Sequence, residues 1–121
     1  MPRLLLIEDD HSVRRALAEL LSRRGFEIFD AATGNEALGL ANHCRPEFVL
    51  CDIDLPDIDG YAVMDELHEV TTYAQWFFMT GKPVDMLALQ STQGIIAGFV
   101  MKPFDVDELL TVFRENRKVS A

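Results

Sequence analysis

The chain has 121 residues, enough for one domain with its own core, and 49% of them are hydrophobic, which excludes a disordered chain. Its 20 acidic and 11 basic side chains give a net charge of −9, which argues against direct nucleic-acid binding. No apolar stretch approaches the roughly 20 residues that span a bilayer, and no secretory signal opens the chain, so we predict a cytoplasmic protein without membrane contact.

The chain is predicted to consist of strand–helix units, because apolar runs of strand length alternate with segments of helical periodicity. The first strand is predicted at residues 4–7, whose continuous hydrophobicity indicates burial on both faces of a sheet. Asp10 or Ser12 can cap the helix that follows, and Gly25 can end it. The buried side of this helix is predicted to carry Val13, Ala16, Leu17, Leu20 and Leu21.

The second unit pairs a strand at residues 26–29 with a helix that opens on a capping box of Thr33 and Glu36. The third strand is predicted at residues 48–51, and a loop rich in turn-forming residues follows at residues 52–60. The helix after this loop is predicted to turn Tyr61, Met64 and Leu67 inward.

Two more units complete the pattern. A strand at residues 75–79 precedes a fourth helix that opens at Pro83, and a fifth strand is predicted at residues 99–101. Asp105 and Glu108 form a capping box for the last helix. Five such units predict an α/β fold with a doubly wound, five-stranded parallel sheet and helices on both faces, and they leave no room for a second domain.

Polar side chains capable of chemistry directly follow four of the predicted strands. Glu8 and Asp9 follow the first strand, Asp52 the third, Thr80 the fourth and Lys102 the fifth. Because ligands of open parallel sheets bind outside the carboxyl ends of the strands, we expect these five residues to converge on one rim. Three acids, a hydroxyl and an ammonium at one rim suit a divalent cation and a phosphoryl group.

Each of these residues, taken singly, is more simply interpreted as a helix cap or a loop residue, but as a set they favour phosphoryl transfer. Mg²⁺ would relieve the repulsion among Glu8, Asp9 and Asp52, because it accepts one or two carboxylates together with water and phosphate oxygens. A carboxylate can also attack a phosphoryl group and form an acyl phosphate. Lys102 would neutralise charge on the transferred group, and Thr80 would bond to it.

The motifs resemble those of the receiver domains of bacterial two-component response regulators, from residue 4 to residue 117. The matching segments are Ile7-Glu8-Asp9-Asp10, Asp52-Ile53-Asp54-Leu55-Pro56 with Asp59-Gly60, Met79-Thr80-Gly81 and Lys102-Pro103-Phe104. This resemblance implies a flavodoxin-like strand order 2-1-3-4-5. It also implies a single receiver domain at residues 1–121, with its core at residues 3–117.

The resemblance implies a role for each site residue. Asp52 would accept a phosphoryl group from the phosphohistidine of a sensor histidine kinase or of a phosphotransfer protein. Glu8 and Asp9, together with Asp52 and the backbone carbonyl of Asp54, would hold Mg²⁺. The domain would then catalyse only its own phosphorylation and dephosphorylation, and we do not expect it to be an enzyme in any other sense.

The resemblance further implies a switch formed by Thr80 and Phe99. Phosphorylation would change a surface formed by the predicted fourth helix, the fifth strand and the last helix. Because position 99 is phenylalanine, a role that requires a tyrosine hydroxyl is excluded. The peptide bond between Lys102 and Pro103 would be cis, as it is in the family.

Two features leave alternatives open. Ile95 and Ile96 are more apolar than the family's loop at this position, so they would either plug the core or form a contact patch for a homodimer, an output domain or another partner. Asp54 and Lys82 would either tune the lifetime of the phosphate at the mouth of the site or be solvated loop charges.

Two other functional classes compete with a phosphorylated receiver. The segment Asp52-Ile53-Asp54 also resembles the nucleophile motif of haloacid-dehalogenase-type phosphatases, but here it is central and Leu55-Pro56 follows it. The second rival is a receiver-like interaction module that is never phosphorylated, against which the intact set of acids, threonine and lysine argues. Whether the chain is a stand-alone regulator or a piece of a longer protein stays open.

Overall fold

The computed structural model describes residues 1–81 and 96–117, the last two as backbone only. The strands are β1 at Arg3–Ile7, β2 at Glu27–Ala31, β3 at Phe48–Asp52, β4 at Gln75–Thr80 and β5 at Ile96–Met101. The helices are α1 at His11–Arg23, α2 at Gly34–Cys44, α3 at Gly60–Leu67 and α4 at Val106–Arg117. The helix predicted at Pro83 lies outside the described residues, as do Lys82 and Ile95. None of the described helices has the length and apolar content needed to cross a bilayer.

The five strands form one sheet in the order β2-β1-β3-β4-β5, and all neighbouring strands are parallel. The side chains of β1 alternate between the two faces of this sheet. Leu5 and Ile7 pack under α2 and α3, whereas Leu4 and Leu6 pack under α1 and α4. All four are 0% exposed, because a central parallel strand is covered on both faces. The doubly wound fold and the strand order are therefore confirmed.

Strand register brings the predicted site residues to one rim. β1 and β3 are paired at the positions that directly precede Glu8 and Asp52. On the other side of β3, Thr80 at the end of β4 pairs with the residue of β5 that directly precedes Lys102. The four side chains therefore lie at the carboxyl edge of the sheet, on four adjacent strands, β1, β3, β4 and β5.

The buried side of α1 is narrower than predicted. Leu17 and Leu21 are buried, as expected, but three other residues predicted on this side, Val13, Ala16 and Leu20, are exposed. The helix begins at His11 and its cap is Asp10, whose carboxylate accepts the Val13 amide, so the prediction of Ser12 as the cap is wrong. Because α1 is buried mainly along Leu17 and Leu21, with Ala18 partly buried against the same core, Val13, Ala16 and Leu20 face outward.

Several strand boundaries differ from the prediction, and the start of β5 differs most. β5 begins at Ile96, three residues before the predicted start, and Ile96 is 9% exposed within the core. The contact-patch interpretation is therefore wrong for Ile96, whose side chain belongs to the same core cluster as Trp76 and Phe78. Ala97 and Gly98 obscured this strand, since neither residue favours the extended conformation. β2 begins at Glu27, and Phe26, predicted as its first residue, packs edge-on against Phe48.

Candidate functional site

The carboxyl rim of the sheet gathers three acids into a compact group. Carboxylate oxygens of Glu8, Asp9 and Asp52 lie within 4.8 Å of one another. Glu8 is 1% exposed and Asp52 6% exposed, whereas Asp9 is exposed to solvent. These three residues are the ones that the sequence placed on this rim. Oxygen ligands alone, with two buried and one at the surface, fit a hard divalent cation such as Mg²⁺.

Lys102 joins two of these acids through its ammonium group. Its Nζ donates hydrogen bonds to Glu8 Oε2 at 2.8 Å and to Asp52 Oδ2 at 2.7 Å. The backbone reinforces this position, since the Lys102 amide donates to the Thr80 carbonyl at 2.8 Å. The next peptide bond, between Lys102 and Pro103, is cis, as expected from the resemblance.

Burial and hydrogen bonding shift the pKa values of Glu8 and Lys102 in opposite directions. Burial raises the pKa of Glu8, although the hydrogen bonds from Lys102 and from the Asp10 amide counteract it and the charge of Asp52 adds to it. Burial would lower the pKa of Lys102, but its hydrogen bonds to Asp52 and Glu8 outweigh burial and raise it. Lys102 is therefore the cation that makes two buried carboxylates tolerable at one rim.

Asp52 is also fixed from the side of the loop between β3 and α3. Its Oδ1 accepts the Asp54 amide at 2.9 Å. The base of the loop is closed by a hydrogen bond from the Gly60 amide to the Ile53 carbonyl at 2.8 Å. A side chain at Gly60 would place its Cβ 2.7 Å from the Asp52 carbonyl oxygen and 2.9 Å from Ile53 Cα. The backbone under Asp52 is thus packed so closely that only glycine fits at position 60.

Asp54 lies at the surface of this loop and is exposed. Its amide contacts the Asp52 carboxylate, so its backbone lies next to the acidic group. The structure therefore brings Asp54 to the site, as the sequence predicted. Lys82, its predicted counterpart in tuning the phosphate lifetime, lies outside the described residues.

Thr80 and Phe99 occupy the strands on the far side of Asp52. Thr80 is 3% exposed at the end of β4. Phe99 is half-buried in β5 and lies beside Phe78 of β4, with the two ring centroids 6.0 Å apart. Phe78 also contacts Tyr61 of α3, at a centroid distance of 5.1 Å. Phe99 therefore belongs to an aromatic row that runs from β5 to α3 beneath the site.

Arg14 is a site neighbour that the sequence analysis missed. Its Nη1 donates to the Glu8 carbonyl at 2.9 Å, and its Nε forms an ion pair with Asp30 at 3.2 Å. Its Nη2 lies 3.1 Å from Nδ1 of His11. Arg14 thus ties the turn after β1 to the end of β2. A basic residue one turn into a helix is common, so nothing in the sequence signalled this contact.

Asp57 is a second residue that the sequence analysis missed. It stands three residues after Asp54 and accepts hydrogen bonds from two backbone amides of α2, those of Gly34 and Asn35, both at 3.0 Å. The pKa of Asp57 is lowered, mainly by the hydrogen bond from the Gly34 amide and also by the one from the Asn35 amide. Burial opposes this effect. The sequence placed Asp57 only within a loop rich in turn-forming residues.

Comparison with known proteins connects this rim to a family. The sequence profile of the response regulator receiver domain matches residues 4–114. Sporulation initiation phosphotransferase F of Bacillus subtilis is 30% identical over 88% of this chain and 86% of that protein. Regulatory protein AtoC of Escherichia coli is 34% identical over 88% of this chain, which spans only 23% of that protein.

A solved structure shows the same similarity in three dimensions. It is a response regulator protein from Burkholderia pseudomallei, described with a phosphorylated aspartic acid, a calcium ion and citrate. The TM-score is 0.86 at 26% identity, and the match covers 99% of this chain and 71% of that one. These similarities do not favour a haloacid-dehalogenase-type phosphatase.

Proposed function

The chain belongs to the response regulator receiver domain family, and we propose that Asp52 is the residue through which it accepts a phosphoryl group. The observation that carries this proposal is the environment of the Asp52 carboxylate. It is 6% exposed, one oxygen accepts the Lys102 ammonium, the other accepts the Asp54 amide, and Glu8 and Asp9 lie beside it. A receiver domain is part of a signalling protein and not a conventional enzyme.

The transfer follows from the chemistry of a carboxylate held in this way. An Asp52 oxygen attacks the phosphorus of a phosphohistidine on a sensor histidine kinase or a phosphotransfer protein. The phosphorus–nitrogen bond breaks, its electron pair stays on the imidazole nitrogen, and a phosphorus–oxygen bond forms an acyl phosphate on Asp52. Lys102 donates a hydrogen bond to the attacking group, so its ammonium would neutralise charge on the transferred oxygens.

Four groups of this chain would hold Mg²⁺: the carboxylates of Glu8, Asp9 and Asp52 and the backbone carbonyl of Asp54. The fit is supported by three carboxylate oxygens within 4.8 Å of one another and by the lack of nitrogen or sulfur ligands in that group. Bound Mg²⁺ supplies further neutralisation of the negative charge of the phosphoryl group. Glu8 and Asp9 would hold the cation beside Asp52, which would remain within reach of the phosphoryl donor.

Thr80 and Phe99 would carry the signal away from the site. Thr80 ends β4 one residue after Met79, which pairs with Asp52 of β3, so its hydroxyl would bond a phosphate on Asp52. A Thr80 drawn toward that phosphate leaves room into which Phe99 can turn, and the population shifts toward this arrangement. The surface affected comprises β5, α4 and the helix predicted at Pro83. This surface would contact an output domain, another partner or a second copy of the chain.

We further propose that the domain acts in the cytoplasm, where a sensor kinase would present its phosphohistidine, and that it binds no nucleic acid directly. The net charge of −9 supports the second statement, because a phosphate backbone repels an acidic surface. The domain would contribute to both its phosphorylation and its dephosphorylation through Asp52, Lys102 and Thr80.

The proposal is tested by phosphorylating the protein with acetyl phosphate and Mg²⁺ and measuring the intact mass. We expect one added phosphate on the wild-type protein and none on Asp52→Asn, because the amide lacks the nucleophilic oxygen. Asp54→Asn is the matched control, since it removes an aspartate two residues away but keeps its backbone carbonyl, and it should still gain one phosphate.

Two outcomes would contradict the proposal. Phosphate on Asp52→Asn would place the acceptor elsewhere. A wild-type protein that gains no phosphate from acetyl phosphate or from a phosphorylated histidine kinase would instead support the interaction module that is never phosphorylated.

A further inference from the structure

Asp57 accepts hydrogen bonds from the first backbone amides of α2, although it belongs to a loop that is distant in sequence. The first three amides of this helix, at Gly34, Asn35 and Glu36, have no acceptors within the helix itself. Thr33 accepts the Glu36 amide at 3.1 Å. The two oxygens of Asp57 accept the other two amides, each at 3.0 Å. The first turn of α2 is thus complete only when the loop between β3 and α3 lies against it.

The contact between loop and helix is also close in packing terms. A Cβ at Gly34 would lie 2.6 Å from Cγ1 of Ile58 and 3.0 Å from Cγ2 of Val63. Position 34 therefore needs glycine for the loop to approach this near. Ile58, the residue after Asp57, packs against the core under α2 and α3. The hydrogen bonds of Asp57 and the apolar contact of Ile58 consequently hold the tip of the loop in one place.

The other end of the same loop is fixed at the phosphoacceptor. The Ile53 amide donates to the Met79 carbonyl at 3.2 Å, and the Gly60 amide closes the base of the loop on the Ile53 carbonyl at 2.8 Å. Asp54 lies between this fixed base and the Asp57 tip. Its amide reaches Asp52 Oδ1 at 2.9 Å, so the position of Asp54 depends on both ends of the loop.

We propose that Asp57 is a positioning residue for the phosphorylation site: it ties the loop to α2 and thereby holds the Asp54 backbone against the Asp52 carboxylate. This inference rests on the proposed function, because it concerns the Asp54 carbonyl as a ligand of Mg²⁺. Asp57 itself touches neither the phosphoryl group nor the cation. Its removal leaves the acceptor, the acids and Lys102 in place and loosens only the loop that carries Asp54.

The first test measures the metal-free protein by NMR in Asp57→Ala, Asp57→Asn and the control Asp65→Ala. Asp65 is an exposed aspartate of α3, so the control makes the same change in charge outside the loop. In Asp57→Ala we expect faster hydrogen exchange at Gly34 and Asn35, together with a shifted Asp54 amide resonance. A purely local helix cap would change the two α2 amides and leave the Asp54 amide as it is in the control, which would overturn the proposal.

The second test is a Mg²⁺ titration of the same variants. Loss of an outer-shell partner weakens metal binding by about tenfold or more, so Asp57→Ala should raise the Kd for Mg²⁺ by about tenfold. Asp57→Asn keeps one acceptor oxygen and should fall between Asp57→Ala and the wild type. Equal Kd values in Asp57→Ala and Asp65→Ala would overturn the proposal. Asp57→Asn makes the test independent of whether the alanine variant folds fully.

The rate of phosphorylation separates this inference from the proposed function. With saturating Mg²⁺, Asp57→Ala should be phosphorylated at close to the wild-type rate, because the bound cation restores the position of the Asp54 carbonyl. Asp57→Ala that remains slow at saturating Mg²⁺ would contradict a positioning role. If Asp52 is not the acceptor, Asp52→Asn would still gain phosphate, whatever the result for Asp57→Ala. The NMR test requires neither phosphate nor metal, so it would still decide the role of Asp57.

Discussion

The site has a buried half and an exposed half, and they differ in how their charges are stabilised. The buried half consists of Glu8, Asp52 and Lys102, in which one ammonium bonds to two carboxylates that are 1% and 6% exposed. The exposed half consists of Asp9 and Asp54, which lie in solvent. Water screens the charges of the exposed half, whereas the buried half depends on its internal ion pairs.

This difference indicates a division of labour. In the buried half both carboxylates are already hydrogen-bonded to Lys102, which suits a nucleophile whose partners must be in place before the donor arrives. The exposed half leaves room for a hydrated cation. This suits Mg²⁺, which gives up water reluctantly and keeps several water ligands when it is bound. Lys102 bonds to the same acids that would hold the cation, so we expect the ammonium and the cation to compete for Glu8 and Asp52.

The largest effect should come from replacing Lys102 in the buried half. Lys102→Met keeps a long apolar side chain and removes the charge, so phosphorylation by acetyl phosphate should slow by about 10²- to 10³-fold, the usual cost of one lost transition-state donor. Affinity for Mg²⁺ should change in the opposite direction and increase by about threefold or more, because a competing positive charge is gone. Both quantities can be measured on one sample by titration followed by single-turnover phosphorylation.

Lys102→Arg is the control for this prediction. It keeps the positive charge, so its Mg²⁺ affinity should stay near that of the wild type even if the different shape of the guanidinium slows the transfer. Weaker Mg²⁺ binding in Lys102→Met would show that Lys102 organises the acids for the cation rather than competing with it.

A smaller effect is expected from the exposed half. Asp9→Asn should weaken Mg²⁺ binding by about tenfold, because a hard cation loses one of its few charged ligands. Its free energy of unfolding should remain within about 0.5 kcal/mol of the wild type, as for other exposed substitutions. Asp10→Asn is a matched control, since asparagine caps α1 as well as aspartate does and removes a neighbouring charge. If both variants lose affinity equally, the effect comes from overall charge and Asp9 is not a ligand.

The sequence predicts which residues meet at the carboxyl rim of the sheet, but it does not predict which of them are buried and which are exposed. Alternation of strands and helices requires the residues after parallel strands to meet, so Glu8, Asp9, Asp52 and Lys102 were found together as predicted. The different burial of Glu8 and Asp9 could not be predicted, because two successive acids at the end of a strand carry no sign of which one turns inward. That choice depends on Lys102, which is 94 residues away from Glu8.

The parts of the structure that were missed share a physical reason. Asp57 bonds to amides 22 and 23 residues away, and such a contact leaves no periodic pattern in the sequence. The exposed face of α1 has the same cause, since its apolar residues fit a broad buried stripe while only Leu17 and Leu21 are fully covered. Periodicity predicts which helices and strands form. Contacts between distant elements decide which face of a helix is buried and which carboxylate is hydrogen-bonded.

The smallest predicted effect tests whether the buried half is costly to the fold. Burial raises the pKa of Glu8 above its ordinary 4.5, so the folded protein favours protonated Glu8 more than the unfolded chain does. Such a group contributes its full stability below the ordinary pKa and loses that contribution as the pH rises through the raised value. Glu8→Gln stays neutral at every pH. Without divalent cations, the Tm of Glu8→Gln relative to that of the wild type should therefore increase as the pH rises above the ordinary pKa of 4.5.

The gain should amount to a few degrees, because about 1 kcal/mol shifts the Tm of a domain of this size by about 4 °C. Glu66→Gln, at an exposed position of α3, provides the same change in charge and gives the baseline for the comparison. A Tm difference between Glu8→Gln and the wild type that does not grow with pH would mean that Lys102 fully compensates the buried charge. If the difference does grow, Glu8 is a carboxylate that destabilises the metal-free fold near neutral pH, and adding Mg²⁺ should stabilise the wild type more than Glu8→Gln.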